Sequence, residues 1–284
     1  MVITIASGKG GTGKTSVAVN LAQTAITAGH DVQVMDADVE APNTHLFLKP
    51  TITSETAVNA LIPQVDENAC TLCGACSDVC EFHAIGVFGT SIMVFPELCH
   101  ACGGCTLACP EKAITEIEHP IGLLRAGLTG DSAEFIEGRL KIGEAKAPPI
   151  IREVKKHINR EKMTIIDAPP GNSCPVVEAM KASDFIVLVT EPTPFGFHDL
   201  RMTFDVVREM DIPFGLVVNK AGMGDRAVYD FCQEHDIPIL MEIPFRRELA
   251  GTYASGKTWV NLFPDMKEKF TELLANLTAR GRRV

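Results

Sequence analysis

Met1-Val2-Ile3-Thr4-Ile5-Ala6-Ser7-Gly8-Lys9-Gly10-Gly11-Thr12-Gly13-Lys14-Thr15-Ser16 opens the chain, and its reading decides the fold. Val2 to Ala6 is a short apolar run of the kind that forms a buried strand, and it leads straight into a glycine-rich loop. From Ser16 to Ala28 the residues Val17, Leu21, Ala25 and Ala28 fall at helical spacing, and Gly29 is the stop. Asp31 to Met35 is the next strand and ends at Asp36-Ala37-Asp38. Strand, loop, helix and strand in that order predict an α/β fold with a doubly wound, mostly parallel sheet.

The loop Gly8-x4-Gly13-Lys14-Thr15 matches G-x-x-x-x-G-K-[ST] in the strand-to-helix context that the motif requires. Glycines such as Gly10 and Gly11 let backbone N–H groups turn inward onto phosphate oxygens, and the helix N-terminus adds positive potential there. Lys9, Thr12 and Ser16 complete the phosphate-facing stretch. Lys14 is expected to reach the β- and γ-phosphates, and Thr15 to ligate Mg²⁺.

Further along, the α/β rhythm is interrupted from about Pro63 to His119, where eight of the ten cysteines fall. They form two runs: Cys70, Cys73, Cys76 and Cys80, then Cys99, Cys102, Cys105 and Cys109. Both read C-x2-C-x2-C-x3-C, the ligand spacing of bacterial iron–sulfur ferredoxins, and the second run is followed by Pro110. The halves repeat with Cys70 matching Cys99, Cys80 matching Cys109, and Ala84-Ile85 matching Ala113-Ile114. This resembles the pseudo-two-fold, two-cluster ferredoxin module. In such modules the fourth cysteine crosses to the other cluster. The resemblance therefore implies one [4Fe–4S] cluster on Cys70, Cys73, Cys76 and Cys109, and a second on Cys99, Cys102, Cys105 and Cys80. Glu81 stands where the first run would carry its proline, a departure that leaves the ligands intact. Paired zinc sites usually set their C-x2-C pairs well apart, and a disulfide framework belongs to exported chains. Few large apolar residues lie in the window, so the clusters would serve as much of its core.

Past the Gly- and Pro-containing stretch Gly122 to Pro149, the rhythm returns. Ile150 to Asn159 reads as a helix, and Met163 to Asp167 as a strand followed by Ala168-Pro169-Pro170-Gly171. Phe185–Thr190, Phe214–Val218 and Ile239–Ile243 are further strands, with helices near Phe197–Met210, Arg226–His235 and Pro264–Ala279 between and after them. The expected organisation is a discontinuous nucleotide-binding domain, 1–62 and 120–284, holding a small α+β insert, 63–119. No low-complexity linker separates them, so the insert is expected to be fixed rather than tethered.

The net charge of −10 argues against a generic nucleic-acid binder. The N-terminus lacks the basic start and long apolar run of a signal peptide, and no stretch is apolar enough to span a membrane. With thiolate clusters, this predicts a reducing cytoplasm.

The run Lys9-Gly10-Gly11-Thr12-Gly13-Lys14-Thr15 resembles the deviant phosphate loop of the MinD/ParA/Mrp/nitrogenase-reductase group, SIMIBI-type P-loop NTPases. The resemblance covers Met1 to about Leu48 and Glu161 onward, and it implies an ATP-dependent dimer, either a homodimer or a heterodimer with a related subunit. There Lys9 would cross to the nucleotide of the second subunit. Asp38, at the switch I position, would orient the attacking water, whereas Asp36 is open between a structural and an outer metal-shell role. Asp167 would be the switch II acid that contacts Mg²⁺ through water, and Asn219 would recognise the adenine edge. Gly222 stands where a guanine-specific protein would carry an acid, so the implied nucleotide is ATP. Cys232 reads as a core thiol. Cys174 is open between packing and a thiol on the dimer axis, and His198 reads as a helix-start residue. Met266, Phe270, Leu273, Leu274 and Leu277 share a face flanked by Lys267, Lys269, Arg280, Arg282 and Arg283. That face is expected to pack on the sheet, with membrane attachment, as in MinD, the lesser expectation.

Together these readings give an ATP-hydrolysing dimeric switch that carries two [4Fe–4S] clusters and gates electron transfer with a redox partner protein. A positioning ATPase with structural or sensory clusters, and a metallocentre maturation ATPase, are the alternatives.

Overall fold

The computed structural model describes residues 1–281. In chain order the first elements are β1 (Val2–Ser7), α1 (Lys14–Thr27), β2 (Val32–Asp36), α2 (His45–Leu48), β3 (Thr51–Val65), α3 (Ala75–Asp78), β4 (Ile85–Phe88) and β5 (Ser91–Val94). After a 3₁₀ turn at Pro96–Leu98 come α4 (Gly104–Ala108), β6 (Ile114–Leu128), β7 (Glu134–Leu140), α5 (Ala147–Lys156), β8 (Met163–Pro170) and α6 (Cys174–Met180). The chain ends with β9 (Phe185–Thr190), α7 (Pro194–Glu209), β10 (Phe214–Ala221), α8 (Ala227–Glu234), β11 (Ile239–Pro244), α9 (Arg247–Ala254) and α10 (Pro264–Gly281).

Nine strands form one sheet in the order β11-β10-β9-β1-β8-β2-β7-β6-β3. From β11 to β7 every neighbouring pair is parallel; β6 and β3 extend the edge antiparallel. The central strands are near-continuous apolar runs because helices cover both faces. On one face Ile3, Ile5, Val34 and Ile165 pack with α1 and α10. On the other, Met35, Ile136 and Ile166 pack with α5, α6 and α7. Met266, Phe270, Leu273, Leu274 and Leu277 of α10 are buried in the first of these cores, as their shared face predicts. Arg282 and Arg283 lie outside the described residues. Among the described residues no helix is long and apolar enough to cross a membrane.

The stretch from Gly122 to Pro149 holds structure that its composition hides: most of the sheet-bound half of β6, all of β7 and the start of α5. Three of its five glycines, Gly122, Gly127 and Gly138, are strand residues. A Cβ at Gly127 would run into the Thr51 carbonyl of β3, and one at Gly122 into the Arg139 carbonyl of β7. They mark close backbone approach rather than turns.

β3 and β6 are 15 residues each and pair from Thr51↔Leu128 to Val65↔Ile114. At about 3.3 Å per residue this hairpin is on the order of 50 Å long. Only Gly122–Leu128 of β6 touches β7, so the far half of the hairpin projects beyond the sheet and carries the cysteine module. The strands therefore run uninterrupted through positions 62–63 and 119–120. Within the module, α3 and α4 stand at matching points of the two halves, and β4 and β5 form a separate two-stranded ribbon. The module is also braced at its side. Buried Lys146 donates to the Pro96 carbonyl at 2.7 Å and to Glu144 at 2.6 Å, and His119 lies 2.9 Å from the same carboxylate.

Candidate functional site

The phosphate loop wraps the N-terminus of α1. Gly13 caps the helix at φ 95°, in the left-handed region that an L side chain adopts only with strain. A Cβ there would also strike the Asn219 amide. Lys14 and Thr15, the first residues of α1, both reach Asp167 near the end of β8. Lys14 Nζ is 2.7 Å from Oδ1, and Thr15 Oγ1 donates to Oδ2 at 2.7 Å. Asp38 Oδ2 stands 3.8 Å from the same ammonium. Burial alone would lower the Lys14 pKa, but Asp167 and Asp38 outweigh it and hold it above the ordinary value. Thr15 and Asp167 thus form the hydroxyl-and-carboxylate pair that suits a hard divalent cation, beside a lysine suited to phosphate.

The two acids after β2 differ in their surroundings. Asp36 accepts from the backbone N–H groups of Asp38, Asn43 and Thr44 and from Thr44 Oγ1, at 3.1, 2.9, 3.0 and 2.6 Å. Three of the four bonds fall on Oδ2, and together they staple the loop from 38 to 44 to the end of β2. Burial, with Asp167 nearby, pushes its pKa up to about 7. Asp38 keeps its side chain facing Lys14, and burial raises it to about 6 against the pull of that ammonium.

Lys9 does not stand free. Its Nζ is 2.6 Å from Glu191 Oε1, while Lys220 Nζ is 2.6 Å from Glu191 Oε2. Burial would raise Glu191, but its two lysine partners win and hold it below the usual carboxylate range. Glu191, directly after β9, is a site residue that the sequence analysis did not single out. Asn219 donates to the Thr12 carbonyl at 2.7 Å and accepts from the Lys220 N–H at 2.9 Å. In this structure it tethers the phosphate loop with one amide N–H and one carbonyl lone pair, which leaves one of each for a base. A cavity of about 330 Å³ opens beside the loop, walled on its far side by Phe245, Arg246, Leu249, Tyr253 and Trp259. These come from α9 and the turns on either side of it, a region to which the sequence analysis gave no site role.

The module gathers its eight cysteines into two groups. One small cavity is lined by Cys70, Cys73, Cys76 and Cys109; the other by Cys80, Cys99, Cys102 and Cys105. In each group the fourth cysteine comes from the other run. All ten thiols are free. The local geometry repeats with the sequence: Leu72 and Ala101 both adopt positive φ (56° and 54°), as do Gly74 and Gly103 (83° and 72°). The Ala84 and Ala113 N–H groups each donate to a sulfur, Cys80 and Cys109, at 3.3 Å. Burial pushes the matching thiols Cys76 and Cys105 up. Among the described residues no three His, Cys, Asp or Glu side chains converge as a single metal ion would require. A cubane spreads its thiolates much farther apart than one ion does, and a donor set of eight thiols, three of which accept backbone N–H groups, would suit such clusters.

Cys174 is exposed at the start of α6, and Cys232 is a buried thiol raised to about 11 by burial.

The chain matches the model of the CobQ/CobB/MinD/ParA nucleotide-binding domain over residues 3–259. It belongs to that family. Among curated proteins it is 33% identical to the uncharacterized protein MJ0578 of Methanocaldococcus jannaschii, over 86% of each chain. It is 26% identical to the iron–sulfur cluster carrier protein of Methanococcus maripaludis, over 78% of this chain and 60% of that one. Among solved structures, the septum site-determining protein MinD from Pyrococcus horikoshii, complexed with Mg-ADP, superposes with a TM-score of 0.61. It is 20% identical and covers 97% of this chain and 95% of its own, so the two share the fold. As a member of this family, the chain has a nucleotide-binding domain of MinD/ParA type, and β1, α1, β2 and β8 supply its phosphate site.

Proposed function

We propose that this protein is an ATP-hydrolysing dimeric switch carrying two [4Fe–4S] clusters, and that its nucleotide cycle gates one-electron transfer with a partner protein in a reducing cytoplasm. The observation that carries the reading is that two cysteine cavities sit on a hairpin continuous with the nucleotide-binding sheet. A tethered module would drift independently of the switch; one built from β3 and β6 moves with the sheet edge.

In this reading Lys14 and Lys9 neutralise phosphate charge, Thr15 holds Mg²⁺ directly and Asp167 holds it through water. Asp38 orients the attacking water. Positioning and charge neutralisation are the main demands of phosphoryl transfer. The clusters, once bound, supply one-electron storage. Before that, burial makes the Cys76 and Cys105 thiols harder to ionise, so loading would displace protons from them.

The test is a redox titration of anaerobic holoprotein, with ADP and then with ATP in a hydrolysis-slow Asp38→Ala background. The reading expects different cluster potentials in the two states; identical potentials and identical electron-transfer rates would remove it. The resemblance to a cluster carrier favours a second reading, in which the clusters leave the protein. Transfer of iron to an apo-acceptor, faster with ATP, would support that one instead.

A further inference from the structure

One row of charged residues crosses the sheet in register. Asp167 pairs with Asp36, Asp36 with Glu137, Glu137 with Arg125, and Arg125 with Glu55. The row thus runs from the acid that grips Lys14 and Thr15 to the hairpin that carries the cysteine module. Strand alternation puts these side chains on one face: Met35, Ile136, Ile166 and Leu124, each one residue earlier, all belong to the opposite core.

Glu137 is the hinge point of this row. It is fully buried, and it meets three basic side chains: Arg125 Nη1 at 2.6 Å, His45 Nδ1 at 2.9 Å and Arg139 Nη2 at 3.5 Å. His45 follows Thr44, whose N–H and hydroxyl both bind Asp36, so it is rigidly joined to the loop that carries Asp38. Arg125 lies on β6 and also stands 3.3 Å from Glu55 on β3. Yet Glu137 Oε2, His45 Nδ1 and Arg125 Nε are buried without a well-directed hydrogen bond. A buried carboxylate oxygen left short of a directed donor is costly, and a small movement of either partner changes how it is satisfied.

We propose that Glu137 is the positioning residue through which the nucleotide loop communicates with the cluster-bearing hairpin. It holds His45 from the loop and Arg125 from the hairpin at once. When phosphate and Mg²⁺ rearrange residues 38–44, His45 shifts with Thr44. Arg125 then takes up both oxygens of Glu137, and its hold on Glu55 loosens. The two states differ in which basic side chain satisfies Oε2, which supplies the bistable element that coupling requires. The inference rests on the proposed ATP-dependent rearrangement, but not on the clusters being loaded.

Hydrogen exchange by mass spectrometry on the full chain tests it, following peptides from 51–65 and 114–128 with Mg-ADP and with a non-hydrolysable Mg-ATP analogue. The expected result is at least a threefold change in exchange rate between the two nucleotides in the wild type. In Glu137→Gln and in His45→Gln that difference disappears, while binding of a fluorescent ATP analogue stays within about threefold of wild type. The partly exposed His45 site keeps the test available should Glu137→Gln fold poorly. A wild-type hairpin indifferent to nucleotide, or a His45→Gln variant that responds as the wild type does, overturns the proposal. Colourless protein with a responsive hairpin would instead defeat the cluster reading alone.

Discussion

Replacing Glu191 by Gln should tighten the proposed ATP-dependent dimer, because in the single chain this carboxylate occupies the lysine that would cross to the second subunit. Lys9 Nζ and Lys220 Nζ each stand 2.6 Å from one Glu191 oxygen, and the carboxylate side chain is 10% exposed while that of Lys9 is 28% exposed. For Lys9 to reach a nucleotide across a dimer interface, that contact has to break in each subunit. A charge-assisted pair with one partly solvated partner is worth about 1 kcal/mol net. Two such contacts per dimer come to about 2 kcal/mol, which is roughly 30-fold in a dissociation constant. The Glu191→Gln variant keeps the shape of the site but holds a lysine only through a neutral amide. Sedimentation equilibrium of Asp38→Ala protein with Mg-ATP, with and without Glu191→Gln, measures the difference. The variant should dimerise roughly 10- to 30-fold more tightly. A constant that stays the same or weakens would show that Glu191 does not restrain Lys9.

Three other outcomes are expected. ATP hydrolysis should fall as pH drops through about 6, where Asp38 takes up its proton; a pH–rate profile without an acid limb would remove Asp38 from the water-orienting role. The same raised value works against stability in the other direction, since the folded state binds the proton more tightly than the unfolded chain and its contribution is lost as pH rises from about 4 to about 6. Cys76→Ser should remove about half of the bound iron while Cys174→Ser leaves it unchanged, because only Cys76 lines a cysteine cavity; elemental analysis of both variants decides this. The module's eight carboxylates, Asp66, Glu67, Asp78, Glu81, Glu97, Glu111, Glu116 and Glu118, are all exposed against a single lysine, Lys112. Electron transfer from dithionite-reduced protein to a basic cytochrome c should therefore slow at least tenfold as salt rises from about 20 mM to 0.5 M; rates that ignore salt, or that favour the succinylated, acidic cytochrome, would contradict it.

The parts of this molecule with strong local signals were readable in its residues. The phosphate loop announces itself because only glycines permit its backbone, and the central strands because burial on both faces demands apolar runs. The resemblance singled out Asp38 for the attacking water but left the place of Asp36 open, since that turns on whether the chain folds back to donate the Asn43 and Thr44 N–H groups to it. β6 and β7 escaped notice for a different reason. Gly122, Gly127 and Gly138 look like turn formers, and only contact with β3, β7 and α5 explains them as points of close approach. Glu137 and Glu191 carried no signal at all: each is one acid among many until the sheet brings its lysine, arginine or histidine partners within reach. The cavity wall at Phe245, Arg246, Tyr253 and Trp259 likewise exists only once β11 and α9 lie beside the phosphate loop.

The central claim is that a nucleotide switch and two electron carriers share one chain. Iron and acid-labile sulfide, assayed per chain on protein purified without oxygen, test it most directly. The account predicts about eight of each, with an absorbance near 400 nm that bleaches on reduction. Colourless protein with neither element, still binding ATP, would contradict it.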